Sequence, residues 1–122
     1  MARVLVVEDV PITRRVIERA ISRMGHEVIG TCFAQEAVEL VEQLRPDLVL
    51  LDFFMPFMDG VALLADLRER LGDQCPKALF VSAAPQEMLR SRVPQLPPLG
   101  YISKPFRLSD LQHAVTTALA AP

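Results

Sequence analysis

Five polar or charged side chains directly follow four short apolar runs of this chain, and together their types suit one kind of chemistry. Glu8 and Asp9 follow the first of these runs, and Asp52, Ser82 and Lys104 each follow a later one. Carboxylates packed together repel one another and raise their own pKa values unless a cation lies among them. Oxygen ligands with access to water suit Mg²⁺, and Lys104 can add a point charge. If the five residues meet, the set predicts transfer of a phosphoryl group to Asp52, with a hydroxyl, an ammonium and a metal ion around it.

The run that leads into Asp52 is the most informative stretch of the sequence. Leu48 to Leu51 are four consecutive apolar residues, which favours a strand buried on both faces of a parallel sheet. Such sheets bind ligands outside the carboxyl ends of their strands, so Asp52 is expected to open into that crevice. An isolated carboxylate in apolar surroundings is costly, which is a further reason to expect a cation beside it.

Strand-like runs alternate with segments of helical periodicity along the whole chain. β-branched and apolar runs predict five strands, over Arg3–Val7, His26–Cys32, Leu48–Leu51, Lys77–Val81 and Leu99–Ser103. Apolar residues at helical spacing, with proline or glycine at the ends, predict five helices, over Pro11–Met24, Ala34–Leu44, Gly60–Leu71, Pro85 to about Val93, and Leu108–Ala120.

This alternation predicts an α/β fold. The expected architecture is a doubly wound, five-stranded parallel sheet in the order 2-1-3-4-5 with five helices, which is the flavodoxin-like arrangement. A chain of 122 residues fits one domain with one core. Because the carboxyl ends of parallel strands lie along one edge, the five polar residues are expected to converge there.

Composition narrows the possible partners and location. Hydrophobic residues make up 51% of the chain and charged residues 23%, which indicates a folding globular chain. The net charge of −2 argues against binding of nucleic acid, which needs a clustered basic face. No apolar stretch approaches the roughly 20 residues of a membrane span, and the start does not resemble a signal peptide. We therefore expect a soluble, cytoplasmic domain that binds neither nucleic acid nor membrane.

Several motifs in order resemble the response-regulator receiver domains of two-component signalling, and the resemblance covers essentially all of residues 1–122. Any one of the motifs is a weak signal, but all of them at these separations are specific. They are the acid pair Glu8-Asp9, the Leu51-Asp52-Phe53-Phe54-Met55-Pro56 stretch, Met58-Asp59-Gly60, Ser82-Ala83, and Tyr101 followed by Lys104-Pro105-Phe106.

The resemblance implies Mg²⁺-dependent transfer of a phosphoryl group to Asp52 from a phosphohistidine on a sensor histidine kinase or phosphotransfer protein. It implies that Asp9 and Asp52 bind the metal directly, Glu8 through water, and Phe54 through its carbonyl.

The resemblance also assigns the groups around the phosphoryl oxygens. Lys104, Ser82 and the backbone of Ala83 and Phe54 would hold these oxygens. On phosphorylation Ser82 would move toward the phosphoryl group and Tyr101 would swing inward behind it. The bond from Lys104 to the following proline is expected to be cis.

The expected output is a phosphorylation-dependent switch that binds a downstream protein, and not an enzyme in the usual sense. Phe54 and Phe57 are candidate partner contacts on the loop after Asp52. Many relatives carry polar groups where this chain has Phe54 and Ala84, which predicts slow self-dephosphorylation. The prolines of Pro94–Pro98 would shorten the fourth helix and reshape the face near it.

Other classes fit less well. A phosphatase of the haloacid-dehalogenase kind needs a second acid two residues after its nucleophile, where this chain has Phe54. A flavodoxin needs a phosphate loop after the first strand, where Glu8 and Asp9 would repel phosphate. A receiver excised from a hybrid kinase or multidomain regulator stays open, although the start at Met1 favours a stand-alone regulator. A phosphorylation-independent interaction module also stays open.

Overall fold

The computed structural model of the chain describes residues 1–55, 59–85, 87–88 and 100–121, and the strands in these ranges form one sheet. In chain order they are β1 (Arg3–Val7), β2 (Glu27–Thr31), β3 (Leu48–Leu51), β4 (Lys77–Ser82) and β5 (Gly100–Ser103). All neighbouring pairs are parallel, and the order is β2-β1-β3-β4-β5. The predicted fold class, strand order and sheet type are confirmed.

Four α-helices lie in the part of the chain that the structure describes, where the sequence predicted five. They are α1 (Pro11–Arg23), α2 (Ala34–Leu44), α3 (Gly60–Leu71) and α4 (Leu108–Ala120), and a 3-10 turn over Gly72–Gln74 follows α3. The helix predicted from Pro85 to about Val93 falls largely outside the described residues, and Pro94–Pro98 falls wholly outside them. Among the described helices, none combines the length and the apolar character that crossing a membrane requires.

The central strand β3 is buried on both faces, as its uninterrupted apolar sequence predicts. Val49 and Leu51 point into the core on one side of the sheet, which they share with α2 and α3. Leu48 and Leu50 point into the core on the other side, which they share with α1 and α4. The single core expected from the sequence is thus divided by the sheet into two clusters, and both anchor the residue that follows β3.

The start of α3 packs unusually close to the end of β3. The Asp59 carboxylate caps α3 by accepting a hydrogen bond from Ala62 N at 2.7 Å, and Gly60 N donates to Phe53 O at 3.0 Å. A Cβ placed on Gly60 would lie 2.3 Å from the carbonyl oxygen of Asp52 and 2.8 Å from the Phe80 ring. Only glycine allows this approach.

We expect Gly60→Ala to lower the free energy of unfolding by about 1–3 kcal/mol, because backbone atoms cannot yield to the added methyl group. Gly100→Ala is the matched control, since its Cβ would meet only the flexible end of Leu79, at 3.2 Å. Urea denaturation followed by circular dichroism measures both variants. Equal stability of the two would contradict this account of the Gly60 contact.

Candidate functional site

Three carboxylates meet at the edge of the sheet where the strands end. One oxygen each of Glu8, Asp9 and Asp52 lies within 4.8 Å of the other two. Glu8 and Asp9 follow β1 and Asp52 follows β3, and these strands are neighbours with Val7 opposite Leu51. Glu8 is 1% exposed and Asp52 is 5% exposed, whereas Asp9 is half-buried. Negative charge is therefore concentrated where little solvent can screen it.

Lys104 lies between two of these carboxylates. Its Nζ donates to Asp52 Oδ2 at 2.8 Å and to Glu8 Oε1. The residue follows β5, and its backbone N donates to Ser82 O at 3.0 Å, which continues the pairing of β4 and β5 by one residue. The Lys104–Pro105 peptide is cis. Residues far apart in the sequence thus form one buried ion network.

Burial and charge shift the proton affinities of this network. Burial raises the pKa of Glu8 to about 7, and the negative charge of Asp52 adds to the shift, while the hydrogen bond and charge of Lys104 oppose it. Burial alone would lower the pKa of the Lys104 ammonium. Its hydrogen bonds to Asp52 and Glu8, together with their charges, outweigh burial and raise that pKa. Lys104 therefore stays charged.

Backbone amides fix the orientation of the buried carboxylates. Phe54 N donates to Asp52 Oδ1 at 3.2 Å, and Val10 N donates to Glu8 Oε2 at 3.3 Å. Each carboxylate thus uses one oxygen for a backbone amide and the other for Lys104. The first contact is the Asx-turn expected of a carboxylate in a turn.

Ser82 ends β4, beside the strand that leads into Asp52. It is 2% exposed, and its Oγ accepts a hydrogen bond from Ala84 N at 3.1 Å. Ala83 is exposed at the rim, where it lines a surface depression together with Lys104. Ala84 is 4% exposed and belongs to the core cluster that α2 and α3 share with the sheet.

Three aromatic residues are the predicted switch or partner contacts: Tyr101, Phe54 and Phe57. Tyr101 lies opposite Phe80 in the β4–β5 register, and the two rings are stacked with centroids 6.1 Å apart. Phe54 is 53% exposed and meets Phe53 edge to face at 5.0 Å. Phe57 lies outside the described residues. The roles assigned to all three stay predictions.

The donor set fits a hard divalent cation. All three side chains offer carboxylate oxygens, and the half-buried Asp9 leaves one side open to water, which matches the oxygen and water ligands that Mg²⁺ takes. Sequence patterns did not predict one residue that contacts the backbone of the acidic pair. Arg14 donates from Nη1 to the carbonyl of Glu8 at 2.9 Å. Its position on the polar face of α1 gave no sign of that contact.

Comparison with known proteins places the chain in context. Residues 4–116 match the family model described as the response regulator receiver domain. The chemotaxis protein CheY of Thermotoga maritima is 31% identical over 114 residues, with 93% of each chain covered. The positive alginate biosynthesis regulatory protein of Pseudomonas aeruginosa is 35% identical over 118 residues, which cover 94% of this chain and 46% of that protein. The receiver domain of the response regulator NarL from Mycobacterium tuberculosis superimposes with a TM-score of 0.88 at 28% identity, covering 99% of this chain and 98% of that one.

Coverage differs among these relatives. The chain spans about half the length of the first curated relatives it matches, 46% and 57%. Relatives also include sensor kinases, of which the chain matches 11–12% of the length.

In metal-free protein we expect the contribution of Glu8 to stability to fall as the pH rises from 4.5 toward about 7. The folded state holds this proton at pH values where the unfolded state has released it, so the contribution is complete below the unfolded pKa and is lost as the pH rises through the folded one. The charged groups around Glu8 are Asp9, Asp52, Lys104 and Arg14, whose guanidinium donates to the Glu8 carbonyl. Glu8→Gln should remove this part of the pH dependence.

Denaturation in EDTA over a pH series measures the free energy of unfolding of wild type and of Glu8→Gln. The difference between the two values cancels the contribution of other groups. Glu39→Gln, an exposed change on α2, is the control and should follow wild type. The assignment to Glu8 is wrong if Glu8→Gln keeps the wild-type pH slope.

Proposed function

Because the chain belongs to the response regulator receiver domain family, we propose that Asp52 accepts a phosphoryl group and that this switches binding of a downstream protein. Receiver domains are phosphoacceptor signalling modules rather than classical enzymes. The observation that carries the proposal is the Lys104 ammonium 2.8 Å from Asp52 Oδ2, within a cluster of three carboxylates. The donor would be a phosphohistidine on a sensor histidine kinase or phosphotransfer protein.

The acidic cluster supports a requirement for Mg²⁺. Asp9 and Asp52 would bind the ion directly, Glu8 through water, and Phe54 through its carbonyl oxygen. Bound there, the ion supplies positive charge that offsets the carboxylates and the incoming phosphoryl oxygens. The hydrogen bond from Phe54 N to Asp52 Oδ1 already holds the acceptor carboxylate in one orientation.

The transfer itself asks little covalent chemistry of the protein. A bond forms between an Asp52 oxygen and phosphorus, the bond from phosphorus to the donor imidazole nitrogen breaks, and that nitrogen keeps the electron pair. The Lys104 ammonium, which pairs with the Asp52 carboxylate before transfer, would pair with the phosphoryl oxygens afterwards. The backbone N–H groups of Ala83 and Phe54 would donate to the same oxygens.

Ser82 and Tyr101 are the proposed switch. The Ser82 hydroxyl accepts from Ala84 N, so its own O–H can donate to a phosphoryl oxygen. Phe80 lies two residues before Ser82 in the same strand, so their side chains share a face. Since Tyr101 stacks on Phe80, a shift of Ser82 toward Asp52 would change the packing under Tyr101. This links the acceptor to the outer strand β5.

We place the protein in the cytoplasm, with a kinase or phosphotransfer protein and a downstream protein as partners. It acts as a stand-alone regulator or as the receiver part of a hybrid kinase or multidomain regulator. An interaction module that works without phosphorylation is the outcome if the next experiment fails.

Incubation with an acyl phosphate and Mg²⁺ should increase the intact mass by about 80 Da, the mass of one phosphoryl group on one carboxylate. Asp52→Ala should show no increase, because the acceptor oxygen is absent. Asp73 lies in the 3-10 turn before β4, at the amino ends of the strands and away from the acidic cluster. Asp73→Asn should therefore be modified like wild type. An unmodified wild type, or modification that survives in Asp52→Ala, would refute the proposal.

The phosphorylated form should lose its phosphoryl group slowly, because neither Phe54 nor Ala84 can hydrogen-bond an attacking water. Phe54→Asn should speed this loss by about tenfold by positioning that water. Phe33→Asn, an exposed aromatic following β2, is the matched control and should leave the rate unchanged. The decay of the added mass after removal of the donor measures the rate. A wild-type lifetime of only seconds that Phe54→Asn leaves unaltered would count against this explanation.

A further inference from the structure

The main chain at Glu8 is held from both sides by groups outside β1. Its N–H donates to Thr31 O in β2 at 3.0 Å, and its carbonyl accepts from Arg14 Nη1 in α1 at 2.9 Å. That carbonyl belongs to the peptide that joins Glu8 to Asp9. Its orientation therefore sets the direction in which both side chains leave the backbone.

Arg14 is itself held in place by a second side chain. Glu18 Oε1 lies 3.5 Å from Arg14 Nε, one helical turn further along α1. The two side chains are only 20% and 30% exposed. The pair is thus less screened than an ordinary surface ion pair, and Arg14 keeps Nη1 directed at the Glu8 carbonyl.

Gly30 in β2 provides the space for this pair. A Cβ on Gly30 would lie 1.8 Å from Glu18 Oε1 and 3.2 Å from Arg14 Cδ. Gly30 pairs with Val6 in β1, so it lies directly beside the strand that carries Glu8 and Asp9. The Glu18 carboxylate occupies the position that any other residue at 30 would fill.

We propose that Arg14 is a positioning residue for the acidic pair, locked by Glu18 in the space left by Gly30, and that this lock sets the affinity of the carboxylate cluster for a divalent cation. The inference deepens the proposed function and rests on it for the identity of the ion. Arg14 acts through the backbone of Glu8 and not by contact with the ion.

The first test is the Mg²⁺ dissociation constant of the unphosphorylated protein, measured by titration calorimetry. Arg14→Gln should weaken binding about tenfold, the scale on which partners that orient metal ligands act. Arg14→Lys should recover only part of the loss, since one ammonium cannot replace a guanidinium that reaches two oxygens at once. Arg19→Gln removes the same charge from the same helix at an exposed position, and should stay within about twofold of wild type.

A mutant cycle tests the lock without altering Arg14. Gly30→Ala should displace Glu18, because the atom it meets is the end of a flexible side chain, and should weaken Mg²⁺ binding as much as Glu18→Ala does. The double variant should be no weaker than either single one, since both remove the same contact. Fully additive losses would overturn the role of Gly30 and Glu18.

A third measurement separates positioning from general stability. In phosphorylation by an acyl phosphate, Arg14→Gln should raise the Mg²⁺ concentration at half-maximal rate about tenfold and leave the rate at saturating Mg²⁺ near that of wild type. A folded Arg14→Gln that binds Mg²⁺ within twofold of wild type overturns the proposal, whatever its melting temperature. If Arg14→Gln fails to fold, the Gly30→Ala and Glu18→Ala pair decides by the same criterion.

Failure of the proposed function would be visible separately. If wild type binds no Mg²⁺, the metal role falls, and the lock is judged from the amide chemical shifts of Asp9 and Val10 in metal-free protein. Arg14→Gln and Gly30→Ala should both move these shifts, and Arg19→Gln should not. Unmoved shifts overturn the lock as well.

Discussion

The ammonium of Lys104 between two buried carboxylates is the interaction on which the rest of the site depends. Taking a carboxylate out of water costs several kcal/mol unless an opposite charge and hydrogen bonds replace the water. Glu8 and Asp52 receive both, from Lys104 and from the amides of Val10 and Phe54. The pairing requires the ends of β1, β3 and β5 to lie at the same edge of the sheet, so that the long Lys104 side chain can reach the carboxylates from the end of β5. The parallel sheet in the order β2-β1-β3-β4-β5 satisfies that requirement.

Rigidity around Asp52 comes from packing and not from the ion network. Strand β3 contributes alternate side chains to the cores on its two faces, so it cannot shift toward one face without opening a cavity in the other. Gly60 allows the start of α3 to pack directly against the Asp52 peptide, which restricts movement of that peptide toward the helix. The backbone of Asp52 is thus fixed by apolar contacts, while Glu8, Ser82 and Lys104, at the ends of β1, β4 and β5, are held by hydrogen bonds.

Sequence patterns revealed the elements and the charged residues but not the contacts that orient them. Uninterrupted apolar runs identified β1 and β3 with their correct bounds, because burial on both faces leaves no polar position. The second strand was predicted too long: His26 precedes β2, and its imidazole accepts a hydrogen bond from Ala2 N. The Arg14 contact and the space at Gly30 depend on how α1 packs on β2. These contacts depend on the directions in which side chains leave α1 and β2, and a sequence pattern does not specify those directions.

Charge balance explains why a cation and a phosphoryl group would act together at this edge. One ammonium cannot neutralise three carboxylates, so the site carries an excess of negative charge, and the charge of Asp52 adds to the increase in the pKa of Glu8 that burial causes. A phosphoryl group on Asp52 replaces one negative charge with about two, so it would increase the excess. A divalent ion offsets this excess, so phosphorylation would favour binding of the ion by the same factor by which the bound ion favours phosphorylation. Groups that shape the acidic pair, Arg14 among them, therefore act on both equilibria through the same carboxylates.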